Sequence, residues 1–348
     1  MTRKIILLAA LSAALCGCLK DNEPANKQNN EPVSKQNFQL DTLVTITIYD
    51  GGSEDIFKEA FDEIGRLESI LSATLTGSDL YALEKNAGKE FIKVSEETIF
   101  LINECRKFSE ISDGAFDCTV GPLVSIWGIK DHKGRFPLEN ELAEALSLIN
   151  YNDILIKDGN YVMLKRAGMK LDFGGIAKGY IADRVKELLI GKGIRSAAID
   201  LGGNIVLIGA KPGGADFKIG IQHPEGARGD YIGIMEISGK SLVTSGSYER
   251  FFIHEGKAYH HILDVNIGFP VENELLEVTV ISDISSDGDG FSTSAFCLGL
   301  QKGLNLLNSS EGIEGIFVTK DRKIYLTEGI GEEFIITDAD YTLVREGF

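Results

Sequence analysis

The chain has 348 residues, of which 43% are hydrophobic and 25% charged, and its formal net charge is −17. This composition is typical of a folded protein and argues against disorder beyond the first forty residues or so. A surface this negative repels phosphate backbones, which argues against DNA or RNA as the main partner. An anionic ligand such as a dinucleotide would need a cation to mediate its binding, so the charge directs attention to a metal site.

The start of the chain has the pattern of an export signal. A short basic start precedes an apolar run at residues 5–15, which is too short to cross a bilayer as a stable helix. The sequence Leu-Cys-Gly-Cys that ends at Cys18 resembles the bacterial lipobox, which predicts a signal peptide over residues 1–17 and a lipidated Cys18. A plain secretory signal is the alternative. The polar stretch 18–37 lacks an apolar period and is predicted as a flexible tether.

These features predict a protein anchored by lipid to the cell membrane, on its extracytoplasmic (periplasmic) side. Residues 38–348 are predicted to form one catalytic domain, because neither a repeat nor a second composition break interrupts them.

The first half of this domain shows helical periods after one alternating strand. Leu40 to Tyr49 alternates as a half-buried strand does, and an amphipathic helix begins at Ser53. Ser95 caps a second helix, and residues 139–149 form a third. Two glycine-led helices are predicted near 174–190 and 290–307.

Strand patterns fill most of the remaining chain, and strands grouped between long helices predict an α+β fold rather than a doubly wound parallel sheet. The further predicted strands cover residues 197–201, 205–208, 217–221, 231–237, 251–254, 259–263, 276–282, 313–319, 323–327 and 333–337.

The stretch Asp172-Phe173-Gly174-Gly175-Ile176-Ala177-Lys178-Gly179 carries the first candidate chemistry. Glycines that end a strand and open a helix leave backbone N–H groups at a positive dipole end, which suits a phosphate, and Lys178 adds a charge. The stretch matches neither a dinucleotide fingerprint nor a P-loop. A packing role for the glycines is the alternative.

A second candidate lies in the stretch 286–295. Asp289 and Thr293 are four residues apart, so they share one face of a helix that includes both. A carboxylate and a hydroxyl belong to the hard-oxygen set that Mg²⁺ prefers. An N-capping aspartate with a solvent-facing threonine is the alternative, and Asp287 is a competing cap or ligand.

The adjacent His260 and His261 follow the stretch Thr244–Arg250. On one strand they would face opposite sides, so one of them would line a cleft as a candidate general base. A buried structural histidine is the alternative. The pair lacks the further clustered ligand that a zinc site would need.

The fourth candidate is the glycine-bounded turn around Ala115, Phe116 and Asp117, followed by the single tryptophan, Trp127. An aromatic ring beside a carboxylate suits a flat, hydrogen-bonding heterocycle, and equally an ordinary tight turn.

Taken together and in this order, the four stretches and the lipobox resemble the ApbE family of FAD:protein FMN transferases, many of which are lipoproteins. The resemblance covers nearly all of the chain after residue 37. It implies a single T-fold-like α+β domain with mixed and antiparallel sheets, FAD as substrate and Mg²⁺ as cofactor. It also implies transfer of FMN from FAD to a threonine hydroxyl of an exported or membrane flavoprotein subunit, with release of AMP.

The same resemblance gives roles to individual residues. His261 matches the histidine thought to deprotonate the acceptor threonine. Asp289 and Thr293 match side-chain Mg²⁺ ligands, and the Gly175 carbonyl matches a main-chain ligand. The positions that match FAD contacts are Leu40, Thr74, Ala115, Phe116, Asp117, Asp172, Lys178, Ser245, Gly246 and Ile262.

Some positions depart from the family pattern. Cys118 stands where proline is usual, and residues 264–268 replace the usual Asp-Pro-x-Thr-Gly. Thr74 stands where the family commonly has an aromatic residue or an amide, and this position bears on whether FAD is held or hydrolysed. Mg²⁺-dependent cleavage of FAD to FMN and AMP is therefore one alternative. A non-catalytic lipoprotein that binds or stores flavin is another.

Overall fold

A computed structural model of the chain describes residues 31–129, 134–227 and 229–344. The predicted signal peptide and Cys18 lie outside these ranges. The helices are α1 (Glu54–Leu71), α2 (Asp79–Lys85), α3 (Glu96–Ile111), α4 (Gly121–Trp127), α5 (Glu139–Ser147), α6 (Ala177–Gly191), α7 (Ser285–Leu298) and α8 (Leu300–Asn308). The strands are β1 (Val33–Gln39), β2 (Thr42–Ile48), β3 (Ile92–Lys93), β4 (Ile154–Lys157), β5 (Tyr161–Leu164), β6 (Ala197–Leu201), β7 (Asn204–Ile208), β8 (Phe217–Gln222), β9 (Tyr231–Ile237), β10 (Ser241–Gly246), β11 (Phe251–His254), β12 (Lys257–His260), β13 (Leu275–Ser282), β14 (Glu314–Thr319), β15 (Lys323–Leu326), β16 (Phe334–Ile336) and β17 (Thr342–Val344).

A large mixed sheet organises the chain, with strand order β1-β2-β6-β7-β10-β13-β14-β15-β17. Its pairs are antiparallel except β15 with β17. One face packs against α1, α3, α6 and α7 around the main hydrophobic core. Apolar residues on the opposite face, such as Leu207 and Ile281, pack in a second core with the small sheet β16-β9-β8. This arrangement confirms the predicted α+β class and explains why β13 is buried almost throughout.

The helices on the main core form where the periodicity predicts them. The α1 helix buries Phe57, Ile64 and Leu67 along one stripe. The Ser95 side chain accepts a hydrogen bond from the backbone N–H of Thr98 and so caps α3. No helix of the described ranges is long and apolar enough to cross a membrane.

A third cluster of apolar residues surrounds Trp127 at the end of α4. It joins α4 and α5 to the β11–β12 hairpin, whose Tyr259 stacks on the indole with ring centroids 5.5 Å apart. The indole Nε1 donates a hydrogen bond to the Gly268 carbonyl at 2.7 Å. The hairpin is thereby held beside the chain that carries His261.

The boundary of the predicted tether is wrong at its C-terminal end. Residues 33–37 form most of β1, which pairs with β2 from Val33 to Gln39. Apart from Val33 these residues are polar, and they are largely exposed, so their side chains give no apolar period. Backbone hydrogen bonds to β2 order them instead, and the chain from Pro32 onwards forms one compact unit.

The predicted helix 290–307 is also different in the structure. It begins at Ser285, five residues earlier, and breaks at Gly299, whose φ of 79° and ψ of 176° end α7 before α8 begins. Gly290 therefore lies inside α7, where a side chain would meet the ring of Phe108 at 2.3 Å. The glycine permits close packing of α7 on α3 rather than opening a helix.

Other elements were not predicted because their segments are short or polar: α2, α4, β1, β3, β4, β5, β10 and β17.

Candidate active site

The N-terminal turn of α6 lies against α7. The backbone N–H of Gly179 donates to Asp289 Oδ2 at 2.9 Å, which joins two residues 110 positions apart. A side chain at Gly179 would meet the Ser285 carbonyl oxygen at 2.3 Å, so only glycine permits this approach. The helix itself begins at Ala177, three residues later than predicted, because Gly174 and Gly175 form the turn before it.

The oxygen donors predicted for a metal meet at this contact. Asp289 is only 4% exposed, and Thr293 lies one helical turn further along α7. Thr293 Oγ1 is 3.3 Å from Ser245 Oγ, and a Cβ built on Gly175 would lie 3.1 Å from the same Thr293 oxygen. One carboxylate, two hydroxyls and the Gly175 backbone therefore converge here.

His261 was predicted to lie within a strand together with His260. In the structure β12 ends at His260, and His261 is the next residue. Its Nδ1 is 3.2 Å from the Arg250 carbonyl oxygen, and its backbone N–H donates to the same oxygen at 3.1 Å. His260 turns the other way, with Nε2 3.0 Å from the Val271 carbonyl and its ring edge-on to Phe296. Burial lowers the pKa of His260. The two histidines thus separate into one cavity residue and one structural residue.

The turn that contains Phe116 is held by the carboxylate of Asp117. Asp117 Oδ1 accepts from the backbone N–H and the hydroxyl of Thr119, at 2.7 and 2.6 Å, and Oδ2 accepts from the Tyr151 N–H at 3.0 Å. Burial raises the pKa of Asp117, although these three hydrogen bonds oppose that effect. Asp117 therefore shapes the turn, and the Phe116 ring packs on Phe108 behind it.

Leu40 was expected on a strand, but it lies in the β1–β2 turn. Leu40 and Asp41 both have positive φ, 54° and 55°, which is the geometry of a two-residue hairpin turn of type I′. Such backbone is costly for residues other than glycine, and contacts hold it in place. The Leu40 N–H donates to Glu68 Oε1 at 3.0 Å, and Arg250 binds the Asp41 carbonyl and carboxylate, each at 3.2 Å.

A single cavity of about 450 Å³ collects these elements. A cavity of this size is typical of small-molecule sites. The predicted residues that line it are Leu40, Ala115, Phe116, Asp117, Asp172, Gly175, Lys178, Ser245, Gly246, His261, Ile262, Asp289 and Thr293.

Thr74 is the predicted residue of the described ranges that does not line this cavity. It is exposed in the segment between α1 and α2, and its hydroxyl lies 3.2 Å from Ser72 Oγ. The hydrogen bonds of Thr74 are to Ser72, and none joins it to another predicted site residue of the described ranges.

Several cavity residues were missed by sequence reasoning. Arg250 and Glu249 line the cavity next to the predicted Ser245–Gly246 pair, and a basic side chain so close to a motif was a usable signal. Asp41 and Cys297 also line it. Asp41 reaches the cavity through the β1–β2 turn, and Cys297 reaches it through the packing of α7. Neither arrangement produces a pattern in the nearby sequence.

In the described ranges, no group of three or more histidine, cysteine or acidic residues is placed to hold a metal ion. The candidate donors at the cavity are of another kind, with one carboxylate, neutral hydroxyls and a main-chain carbonyl. Such a set is typical of Mg²⁺ sites that take further ligands from substrate phosphates.

Comparison with known proteins gives one consistent family. The ApbE family model matches residues 40–317. The chain is 37% identical over 292 residues to an FAD:protein FMN transferase of Klebsiella pneumoniae, covering 84% of this chain and 90% of that protein. It is 33% identical over 302 residues to an FAD:protein FMN transferase of Treponema pallidum, covering 83% of each.

Solved structures agree with this result. The ApbE protein of Thermotoga maritima superposes with a TM-score of 0.79 at 31% identity, covering 86% of this chain and 97% of that one. The flavin transferase ApbE of Vibrio cholerae superposes with a TM-score of 0.77 at 25% identity, covering 86% and 97%. The family model spans all the cavity-lining residues and the helices α1 to α8, and the chain belongs to the ApbE family.

Proposed function

We propose that this enzyme transfers the FMN part of FAD to a threonine hydroxyl of an exported or membrane flavoprotein subunit, in a Mg²⁺-dependent reaction that releases AMP. The curated relatives are named for the transfer of FMN from FAD to protein. The observation that supports the proposal most is that His261, Lys178 and the Asp289–Thr293 pair line the same cavity.

The environment of His261 suits a general base. A carbonyl oxygen can only accept hydrogen bonds, so Nδ1 of His261 carries the hydrogen in its contact with the Arg250 carbonyl. In the neutral ring Nε2 then carries a lone pair instead of a hydrogen. The acceptor hydroxyl would transfer its proton to this nitrogen as its oxygen attacks.

The reaction balances as a substitution at phosphorus. The threonine oxygen forms a bond to the FMN-side phosphorus, the bond from that phosphorus to the bridging oxygen breaks, and AMP leaves with the bridging oxygen. The site must hold the attacking and leaving oxygens in line and offset the charge of the diphosphate. Lys178 in the first turn of α6 and the N-terminal end of this helix provide positive charge for that purpose.

The residues present fit a Mg²⁺ ion. The Asp289 carboxylate is held by the Gly179 N–H, Thr293 shares its face of α7, and the Gly175 backbone lies against Thr293. When bound by Asp289, Thr293 and the Gly175 carbonyl, Mg²⁺ would neutralise diphosphate charge. A bound Mg²⁺ would also allow a protein with a net charge of −17 to hold the anionic diphosphate.

One experiment separates transfer from its alternatives. The full chain in detergent is incubated with FAD, Mg²⁺ and the FMN-free form of an exported flavoprotein subunit that normally carries covalent FMN. AMP release and the mass of the subunit are measured. A mass gain of one FMN with equimolar AMP supports transfer, and AMP without the mass gain identifies hydrolysis. FAD binding without either product would refute both enzymatic functions.

Two variants test the assigned residues. His261→Ala should lower kcat about 10²- to 10⁴-fold, the usual contribution of a general base. Asp289→Ala should abolish Mg²⁺-dependent turnover. Asp340→Ala is a matched control, because this carboxylate is exposed and pairs with Arg322. Turnover of Asp289→Ala equal to that of the control would reject the metal site.

We also propose that Cys18 carries the lipid anchor and holds the enzyme on the extracytoplasmic face of the membrane. The basic start, the apolar run and the Leu-Cys-Gly-Cys sequence support this proposal. Cys18→Ala should move the protein from the membrane fraction to the soluble exported fraction. Retention in the membrane fraction would contradict the anchor.

A further inference from the structure

The segment Ser247–Arg250 connects β10, which ends in the cavity, to β11 of the hairpin. Its last residue presents the carbonyl that contacts both the backbone N–H and Nδ1 of His261. Ser247 holds the start of this segment, because its backbone N–H donates a hydrogen bond to the Leu276 carbonyl at 2.9 Å. The position of the imidazole therefore depends on how this short segment is anchored.

Tyr248 anchors the middle of the segment to the large sheet. Its hydroxyl donates a hydrogen bond to Oε2 of Glu277, a residue of β13 that is 0% exposed. Glu277 is the register partner of Gly246, the last residue of β10. A side chain at Gly246 would meet the Tyr248 ring at 2.8 Å, so the glycine leaves room for the ring beside the cavity wall.

Glu277 is costly to keep at this place. Burial raises the pKa of its carboxyl to about 8, and Oε1 has no hydrogen-bond partner within the described residues. Burial and the neighbouring Glu277 also raise the pKa of Tyr248. An apolar side chain would fill the same space without this cost, so stability alone does not account for the pair.

A second contact anchors the end of the segment. The Arg250 guanidinium binds Asp41 in the β1–β2 turn at 3.2 Å while its carbonyl faces His261. This ion pair is partly exposed, so by itself it contributes little free energy to the stability of the segment. The buried contact of Tyr248 with Glu277 is therefore the stronger restraint on the segment.

We propose that Tyr248 and Glu277 are positioning residues for His261, because their buried hydrogen bond fixes the segment whose Arg250 carbonyl orients the imidazole. The inference rests on the proposed function, in which His261 is the general base. Neither residue is among those that line the cavity. Their loss should lower the rate of the chemical step while leaving FAD binding intact.

The test measures kcat for FMN transfer to the flavoprotein subunit and the Kd for FAD with the full chain. Tyr248→Phe and Glu277→Leu should each lower kcat about ten- to a hundredfold, since a misplacement of about 1 Å in a catalytic group has effects of that size. The Kd for FAD should stay within about twofold in both. The double variant should have a kcat no lower than that of either single variant, because both changes remove the same hydrogen bond.

Glu277→Gln is the conservative variant. Its amide oxygen still accepts the Tyr248 hydrogen bond, and its shape is close to that of a protonated carboxyl group, so kcat should return close to the wild-type value. Tyr49→Phe is the matched control, since Tyr49 packs edge-on against Phe217 on the other face of the large sheet. Its kcat should not change.

The outcomes separate this inference from the proposed function. If His261→Ala is inactive while Tyr248→Phe and Glu277→Leu keep full kcat, the positioning role is wrong and the base assignment stands. If kcat of Glu277→Gln is as low as that of Glu277→Leu, the positioning role is also overturned. The same holds if the Kd for FAD rises by the factor by which kcat falls. If His261→Ala keeps full kcat, the base assignment fails and the positioning role fails with it.

Discussion

Gly179 lies in the first turn of α6, where its N–H donates to Asp289, and the substitution Gly179→Ala tests whether this contact holds the candidate metal site together. The added Cβ would lie 2.3 Å from the carbonyl oxygen of Ser285 and 2.7 Å from the Cα of Ser286. Both atoms belong to the backbone, and Asp183 fixes that backbone by accepting the N–H groups of both serines at 2.8 Å. The two helices must therefore separate by about 1 Å to restore ordinary contact.

The magnitude follows from three contributions. Overpacking of this kind costs about 1–3 kcal/mol. Stretching the Gly179–Asp289 hydrogen bond beyond 3.5 Å costs a further 1–3 kcal/mol or so, because the acceptor is a buried carboxylate. The higher helix propensity of alanine offsets about 1 kcal/mol. We expect a net loss of about 3 kcal/mol in the free energy of unfolding, equivalent to a fall in Tm of about 4–5 °C for a chain of this length.

The assay combines thermal unfolding with Mg²⁺ titration of AMP release. Because Asp289 loses the group that orients it, the Mg²⁺ concentration for half-maximal rate should rise about tenfold or more, equivalent to about 1.4 kcal/mol. Gly191→Ala is the matched control, since Gly191 ends the same helix and a side chain there would meet nothing within 4 Å. That variant should be as stable as the wild type or slightly more stable.

Equal Tm values and equal Mg²⁺ dependence for Gly179→Ala and Gly191→Ala would refute the reasoning. A lower Tm with unchanged Mg²⁺ dependence would confirm the close packing of the helices but reject its role in holding Asp289.

Three further predictions concern other parts of the site. Asp117→Asn should lower the free energy of unfolding by about 1–3 kcal/mol in urea titrations, because the amide N–H₂ would face either the N–H of Tyr151 or the donors of Thr119; unchanged stability would show that these hydrogen bonds do not hold the turn. Glu277 has a folded-state pKa raised from 4.5 to about 8, so the folded state binds more protons between these values and stability falls as pH rises through this window; Glu277→Gln should lack this loss, and parallel pH profiles of unfolding for the two proteins would contradict it. Thr74→Ala should leave the Kd for FAD unchanged in a fluorescence titration, since Thr74 is exposed and does not line the cavity; a weaker Kd would place it in contact with FAD.

Some elements of the fold are specified by residues within a few positions of each other, and others only by contacts between distant parts of the chain. Strands β6, β9 and β11 have the predicted bounds, because alternation and turn residues mark them within a few positions. The start of α3 at Glu96, behind the Ser95 cap, was also predicted for a local reason. The polar strand β1 had no such signal, since it is ordered by its partner strand β2.

The candidate site shows the same division. Asp289 and Thr293 could be paired from their spacing alone, because both lie in α7 and share a face. The start of α7 at Ser285 could not be predicted, since Gly290 lies inside the helix against Phe108 and does not open it. The break at Gly299 could not be predicted either.

By itself, the sequence determined the α+β class, the main helices and strands, and the residue types that meet at the cavity. Only the tertiary structure decided how they meet: Gly179 binds Asp289 across 110 residues, and the Arg250 carbonyl contacts the imidazole of His261. It also moved Leu40 into a turn and left Thr74 outside the cavity. The physical reason is that periodicity and capping act over one or two turns of chain, whereas contacts between distant elements depend on how the helices pack on the sheet.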